Sequence, residues 1–454
     1  MLSKRFSMSR LSTIASQLGI SIPSEQRAVI VTGARTPFTR GFGELLALDT
    51  IDLGAAAVKG LLEKTKLDPN LIDHVAWGGV ILRNGSPNTG REIIVDLKLP
   101  PSISAHTESM ACISGLKAVL SGVLMIESGN ASVIVAGGSD SVSCTEVPLA
   151  RDVSQSLALY TSGKISASKL LSVAGLPCSW MPQQPGVAER STGKTMGYHA
   201  DVMAELCGVK RGDQDKFAMA SHAKAAAAIS QGLFDDEIVP VTTKVVPHMP
   251  SKLVKKDTLV RMTQDEKKAA TLKPAFRKAE KGGTITAASA SPLTDGGAAV
   301  LLMSARRAKE LGYAADVAIR SWAASGIQPE PNLLLAPALA FPTALRRAGL
   351  TLKDIDYFEI HEAFAGQVLA TTQCLASAEL CKKYLGLDSA VGDIPLDRVN
   401  IYGGSVSIGH PFGATGARIV TNAARILRNK QAKYVLISIC AAGGLGMVTI
   451  VERI

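Results

Sequence analysis

Tyr434-Val435-Leu436-Ile437-Ser438-Ile439-Cys440-Ala441-Ala442-Gly443-Gly444 is an apolar, β-branched run that ends on a cysteine and stops at two glycines. Its length and its glycine stop read as a buried strand. The run Gly413 to Leu427 before it has helical spacing, and His410 stands just ahead of that helix. The same plan occurs far upstream. Cys112-Ile113-Ser114-Gly115 precedes an apolar helix over Leu116 to Ile126, followed by the strand Ala131-Ser132-Val133-Ile134-Val135-Ala136 into Gly137-Gly138. Twice, a reactive residue leads a helix and then a strand that ends at paired glycines. This is an internal repeat of layout more than of identity. Two such halves facing each other bring Cys112, His410 and Cys440 together at helix starts and strand ends.

Working outward, Ala28 to Gly33 and His74 to Val80 are further strand candidates, and Leu53 to Lys64 reads as a helix. Ile355 to Ile360 is a strand candidate that ends at His361. Strands alternating with helices predict an α/β architecture. With 454 residues the chain is too long for one simple core, so two or three domains are expected. Between the halves, residues 148–293 differ in composition. They hold Pro177, Pro182, Pro185, a basic stretch and an alanine-rich helix around Phe217 to Ile229, and read as an insertion built for binding. Leu157 to Val173 reads as a surface helix, with docking on a membrane or a partner as the alternative.

The formal charge of +10 is local. Residues 1–24 contribute +3 through Lys4, Arg5 and Arg10, and residues 244–281 contribute +7, so the rest of the chain balances. A nucleic-acid binder would spread its basic residues over a face with interleaved aromatics. A local patch fits a phosphate-bearing small ligand, or simply a solvated loop. Seven cysteines form no CxxC pair and no metal-ligand spacing, and their odd number in a long chain points to a reducing compartment. No apolar run is long enough to cross a bilayer. Met1 to Gly19 is serine-rich, basic and free of acids, as mitochondrial presequences are. The spacing of Arg10-Leu11 and Gln17-Leu18 also resembles an N-terminal peroxisomal address, and both destinations stay open.

A cysteine becomes nucleophilic when its thiolate is stabilised, and helix starts and histidines do this by lowering the pKa. Cys112, placed before a helix, is the candidate nucleophile. His410 lies between Gly409 and Pro411, with Gly413 and Gly416 following, where glycines let a ligand or another backbone approach closely. Cys440 is a second thiol whose ordinary pKa, about 8.5, suits proton transfer at carbon. His361, as a neutral imidazole, would donate to a developing oxyanion, though a strand-end histidine satisfied by a carbonyl is the plainer reading. Backbone N–H groups of Cys112 and of the small residues after Cys440 would line an oxyanion pocket. Thr32-Gly33-Ala34-Arg35-Thr36-Pro37 imitates the start of a dinucleotide turn, but Pro37 stands where the second glycine belongs.

These motifs together resemble the thiolase family, and within it the β-subunits of mitochondrial trifunctional enzymes. The resemblance runs from about Ala28 to the C-terminus. It is carried by Cys112-Ile113-Ser114-Gly115, His361-Glu362-Ala363-Phe364, Gly409-His410-Pro411 and Cys440-Ala441-Ala442-Gly443. Gly137-Gly138 with Ser143, Thr195-Met196-Gly197, Leu272 to Phe276 and Thr294-Asp295-Gly296 support it. It implies two similar βαβαβαββ halves in a five-layer αβαβα sandwich with an inserted loop domain that binds CoA. The implied boundaries are a targeting segment at 1–24, an N-terminal half at 25–147 and 294–312, the insertion at 148–293 and a C-terminal half at 313–454.

The resemblance further implies thiolysis of 3-ketoacyl-CoA by CoA, in fatty acid β-oxidation, through a Cys112 acyl-enzyme. His410 would activate Cys112, and Cys440 would act as acid and base at the α-carbon. His361 and His410 would face the thioester or enolate oxygen, and Cys112 and Ala442 N–H the second oxyanion. Met196 would touch the acyl group and Ser291 the pantetheine arm. CoA is then a substrate, and no permanent cofactor and no metal are implied. A homodimer or tetramer is expected, with a trifunctional α-like subunit as a further partner. Many thiolases carry Asn where this chain has His361, Pro292 departs from the usual residue beside Ser291, and Ala150 to Arg190 holds fewer basic residues than trifunctional β-subunits. The alternative is biosynthetic condensation on the same fold, by an acetoacetyl-CoA-forming thiolase; ketoacyl synthases lack the second catalytic cysteine, so Cys440 favours a thiolase. A non-catalytic lipid-binding subunit would tolerate loss of reactive residues, yet all four loops are intact.

Overall fold

The computed structural model describes residues 23–174, 181, 186, 188–247 and 250–454. Lys4, Arg5, Arg10, the Arg10 to Leu18 address, Pro177, Cys178, Pro182 and Pro185 lie outside the described residues.

The first half runs β1 (Ala28–Arg35), α1 (Thr50–Thr65), β2 (His74–Gly78), α2 (Thr89–Asp96), β3 (Ser104–Glu108), α3 (Ser114–Glu127) and β4 (Val133–Asp140). It is completed after the insertion by β5 (Thr294–Ser304), giving the strand order β3-β2-β4-β5-β1. The insertion carries α4 (Met196–Leu206) and α5 (Arg211–Ser230). The second half runs β6 (Val317–Gly326), α6 (Ala336–Ala348), β7 (Tyr357–Ile360), α7 (Ala365–Ala376), α8 (Phe412–Asn429), β8 (Tyr434–Ala441) and β9 (Leu445–Arg453), ordered β7-β8-β9-β6. The orders superimpose strand for strand. The counterpart of β3 is reduced to a single parallel bridge between Val399 and Phe358. The two sheets meet where β1 touches β6 at Val29 and Ala318, so hydrogen bonding runs continuously through all nine strands.

Layering follows from which face of each strand is apolar. In β4, Ile134 and Ala136 face the core shared with α3 and α8, while Val133 and Val135 join the outer core with α1. In β8, Ile437 and Ile439 face inward and Leu436 packs outward with α6 and α7. Strands buried on both faces need continuous apolar sequence, which is why these runs do not alternate with polar residues. Helices α3 and α8 pack on each other between the two sheets. Thr32-Gly33 is no phosphate turn: β1 continues to Arg35, and a Cβ on Gly33 would meet Thr421 Oγ1 of α8 at 2.0 Å.

The expected helix over Leu157 to Val173 is instead two helices, Arg151–Thr161 and Ala167–Ala174. Gly163, at φ +71°, takes the left-handed conformation that ends a helix. Gly163 N–H then donates to Tyr160 O and Lys164 N–H to Leu159 O. Leu159, Tyr160 and Leu171 of this pair are exposed. Among the described residues no helix is long and apolar enough to cross a membrane.

Candidate active site

Cys112 sits on the tight turn between β3 and α3. Ala111 before it holds φ +47°, a strained value for a residue with a side chain. Ser114 fixes that turn, since its Oγ accepts from Met110 N–H at 2.8 Å and donates to Ala111 O at 2.6 Å. His410 lies just ahead of α8, after Gly409 at φ +112°, and its N–H donates to Thr294 Oγ1 at 3.0 Å. The starts of α3 and α8 touch backbone to backbone. A Cβ on Gly115 would lie 2.0 Å from Gly413 O, and one on Gly416 would lie 2.1 Å from Leu116 N. Glycine at this crossing sets how near the thiol comes to the imidazole. Asp140, at the end of β4, accepts from Gly413 N–H at 2.7 Å and from Val80 and Ile81 N–H, which fastens α8 to the first half.

The structure brings three predicted residues into one cluster: Cys112 Sγ and one ring nitrogen each of His361 and His410 lie within 4.8 Å of one another. The two imidazole centroids are 4.1 Å apart at 46°. His361 Nδ1 bonds Ser405 Oγ at 2.9 Å, and His410 Nδ1 bonds Thr415 Oγ1 at 2.7 Å. Both Nε2 atoms are buried and have no hydrogen-bond partner among the described residues, so the unpaired edges are the ones left for chemistry. Cys440 is buried at the end of β8, next to Cys112, and Ala442 N–H reaches the Cys112 sulfur. Gly443 and Gly444, at φ +79° and +69°, turn the chain into β9, and Gly443 N–H donates to Glu189 of the insertion at 2.8 Å.

The electrostatics correct one expectation. Cys112 is not acidified: burial, with the Asp140 charge adding to it, pushes its thiol up to about 12, against the N–H groups of Ala442 and Cys112 itself. Burial, helped by the Arg418 charge, holds His410 down to about 3. Burial, His410 and Arg418 hold His361 well below its ordinary value. Burial and the neighbouring Cys112 raise Cys440 well above an ordinary thiol. In so dry a site desolvation outweighs a helix start, and the resting pair is neutral thiol and neutral imidazole. One sulfur and two imidazole nitrogens are also a donor set that suits zinc. A zinc ion there would take the same lone pairs that thiol activation requires.

Met196 and Ser291 stand apart from the cluster. Met196 begins α4 and packs on the second-half core that contains Cys440 and Phe364. Ser291 N–H donates to Ala363 O at 3.0 Å, and the residue lines a cavity of about 200 Å³ with Phe276, His222 and Arg261. His222 and Arg261 also line a neighbouring cavity of about 430 Å³ that includes Lys268. The two form one groove along the basic insertion. Sequence reasoning missed Asp140 and Arg418. A lone acid closing an apolar strand was the available signal for Asp140. Arg418, buried at 3 % exposure two residues beyond the glycine motif, carried none. Ser405 and Thr415 lay inside the glycine stretch, but only the fold shows that they face imidazoles.

Comparison with known proteins agrees with this geometry. Residues 28–306 match the thiolase N-terminal domain and residues 313–453 the thiolase C-terminal domain. A probable 3-ketoacyl-CoA thiolase of Caenorhabditis elegans is 40% identical over 425 residues, 93% of each chain. A 3-ketoacyl-CoA thiolase of Aliivibrio fischeri is 38% identical over 427 residues, 94% of this chain and 95% of that one. The crystal structure of human mitochondrial 3-ketoacyl-CoA thiolase superimposes with a TM-score of 0.79 at 26% identity, covering 95% of this chain and 100% of that one. With both family domains matched in order, and with Cys112 meeting two histidines between the halves beside Cys440, the chain belongs to the thiolase family.

Proposed function

We propose that this acyltransferase performs thiolysis of 3-ketoacyl-CoA by CoA in fatty acid β-oxidation, with the roles divided as follows. Cys112 passes its proton to His410 Nε2 as its sulfur attacks the 3-keto carbon. The alkoxide formed there rests on the N–H groups of Cys112 and Ala442. Its collapse breaks the C2–C3 bond and sends the electron pair into the enolate of acetyl-CoA, whose oxygen faces His361 and His410. Cys440 protonates C2. In the second half-reaction the CoA thiol gives its proton to the Cys440 thiolate and attacks the acyl group on Cys112. The departing Cys112 thiolate recovers its proton from His410. Covalent catalysis divides one hard cleavage into two smaller steps.

The observation that carries this reading is the convergence of Cys112 with two imidazoles whose Nε2 edges are free. The insertion supplies the CoA groove, with Arg261 and Lys268 toward phosphate, Ser291 toward the pantetheine arm and Met196 toward the acyl group. CoA acts as a substrate. Thiolysis of short and long 3-ketoacyl-CoAs by wild type and Cys112→Ser tests it. At least a hundredfold loss, about the size of losing an activated nucleophile, is expected in the variant. Equal turnover by both proteins rules the mechanism out. The homodimer or tetramer, the trifunctional α-like partner and the organellar address belong to the same proposal. A chain lacking residues 1–24 that still enters mitochondria or peroxisomes on imaging removes the address.

A further inference from the structure

Two imidazoles face one thiol, yet they are not held alike. Thr415 Oγ1 has His410 Nδ1 as its one hydrogen-bond partner among the described residues. Among the described residues no cation bonds that hydroxyl, so nothing biases it toward donating and His410 can carry its proton on either nitrogen. Ser405 differs. Its buried Oγ has two partners, His361 Nδ1 at 2.9 Å and Arg418 Nη2 at 3.5 Å. Arg418 is donor-only. That cationic N–H draws electron density from the serine oxygen and makes the hydroxyl a better donor and a poorer acceptor, so it donates to the lone pair of His361 Nδ1. The opposite tautomer would aim two donors, Arg418 Nη2–H and His361 Nδ1–H, at one buried oxygen, a crowding that Thr415 does not meet.

We propose that Arg418 and Ser405 are positioning residues that lock His361 in its Nε2–H tautomer, a fixed donor aimed at the enolate oxygen, while His410 stays free to shuttle protons. This rests on the reading of His361 as an oxyanion donor. The rest of Arg418 supports it. The guanidinium is buried, its Nε and Nη1 have no hydrogen-bond partner among the described residues, and its nearest carboxylate oxygen, Glu359 Oε2, stands 3.9 Å away. A cation so loosely paired is a poor structural clasp. It keeps a positive potential behind both imidazoles, which favours their neutral forms at rest and negative charge on the substrate during reaction.

The test begins with the wild-type protein labelled with 15N-histidine. The His361 resonances, identified by their loss in His361→Gln, are expected to show a protonated Nε2 and an unprotonated Nδ1. A protonated Nδ1 overturns the relay. Two rates then separate positioning from structure. In Ser405→Ala and Arg418→Met, exchange of the acetyl-CoA methyl hydrogens with D2O, which needs the enolate donor, is expected to fall about tenfold or more. Alkylation of Cys112 by iodoacetamide is expected to change less than about twofold, and Arg418→Lys is expected to recover part of the exchange rate. Equal losses in both rates, or no loss of exchange, overturn the proposal. Full thiolysis by His361→Gln would instead remove the underlying role of His361, so the two failures are distinguishable.

Discussion

At the scale of single residues, Cys112 and His410 are poised rather than charged. A thiol pushed up to about 12 beside an imidazole held down to about 3 stays neutral across the ordinary pH range. Proton transfer then accompanies attack on the substrate. It follows that iodoacetamide alkylation of Cys112 in the substrate-free enzyme should rise about tenfold per pH unit from pH 6 to 9, as the small thiolate fraction grows. A preformed thiolate–imidazolium pair would instead give a rate that levels off above about pH 6. A plateau of that kind would contradict the electrostatics described above. These candidates were legible in the sequence because a cysteine ahead of an apolar helix and a histidine in a glycine-rich turn are chemically conspicuous. Their protonation states were not, because desolvation depends on what packs over them.

At the scale of elements, the decisive contact is the crossing of α3 and α8. Gly115 and Gly416 let the two helix starts touch, with no room for a methyl group. Gly115→Ala should therefore push α3 away from Gly413, at a cost of about 1–3 kcal/mol for overpacking a rigid site. Denaturant unfolding measures the loss, and thiolysis should fall further than stability alone explains because Cys112 moves with the helix. Unchanged stability and activity would show that α8 yields without consequence. The runs over Leu116 to Ile126 and Gly413 to Leu427 are readable as helices from spacing alone, and in the fold they extend to Ser114–Glu127 and Phe412–Asn429. The break at Gly163 was misread, since one glycine in a mixed segment interrupts a periodic pattern without erasing it. The vestigial strand at Val399 had no strand-like run to reveal it.

At the scale of the molecule, a buried ion cluster ties insertion and halves together. Glu237 accepts from Arg35 of β1 at 2.6 Å and from Arg425 of α8 at 2.5 Å, and Asp257 pairs with Arg35 at 2.6 Å. Burial pushes the Glu237 carboxyl upward, but Arg425 and Arg35 outweigh it and hold the group at about 2. Its folded-state value lies below the ordinary one, so its contribution is complete at neutral pH and fades as pH falls from about 4.5 toward 2. Glu237→Ala leaves Arg35 with Asp257 alone and Arg425 with the exposed Asp236 at 3.2 Å, and should cost about 3–5 kcal/mol at pH 7. A urea midpoint that does not move would show that Asp257 and Asp236 suffice.

The sequence by itself determined that this chain holds two copies of one α/β plan and that its candidate site residues stand at helix starts and strand ends. Both follow from local rules, namely the period of apolar residues and the places glycine is needed. Only the tertiary structure decided which nitrogen of each histidine is free, that Arg418 stands behind them and that burial keeps the Cys112 thiol uncharged. Those properties come from residues far apart in the chain meeting in a buried space, where each charge and hydrogen bond depends on every neighbour.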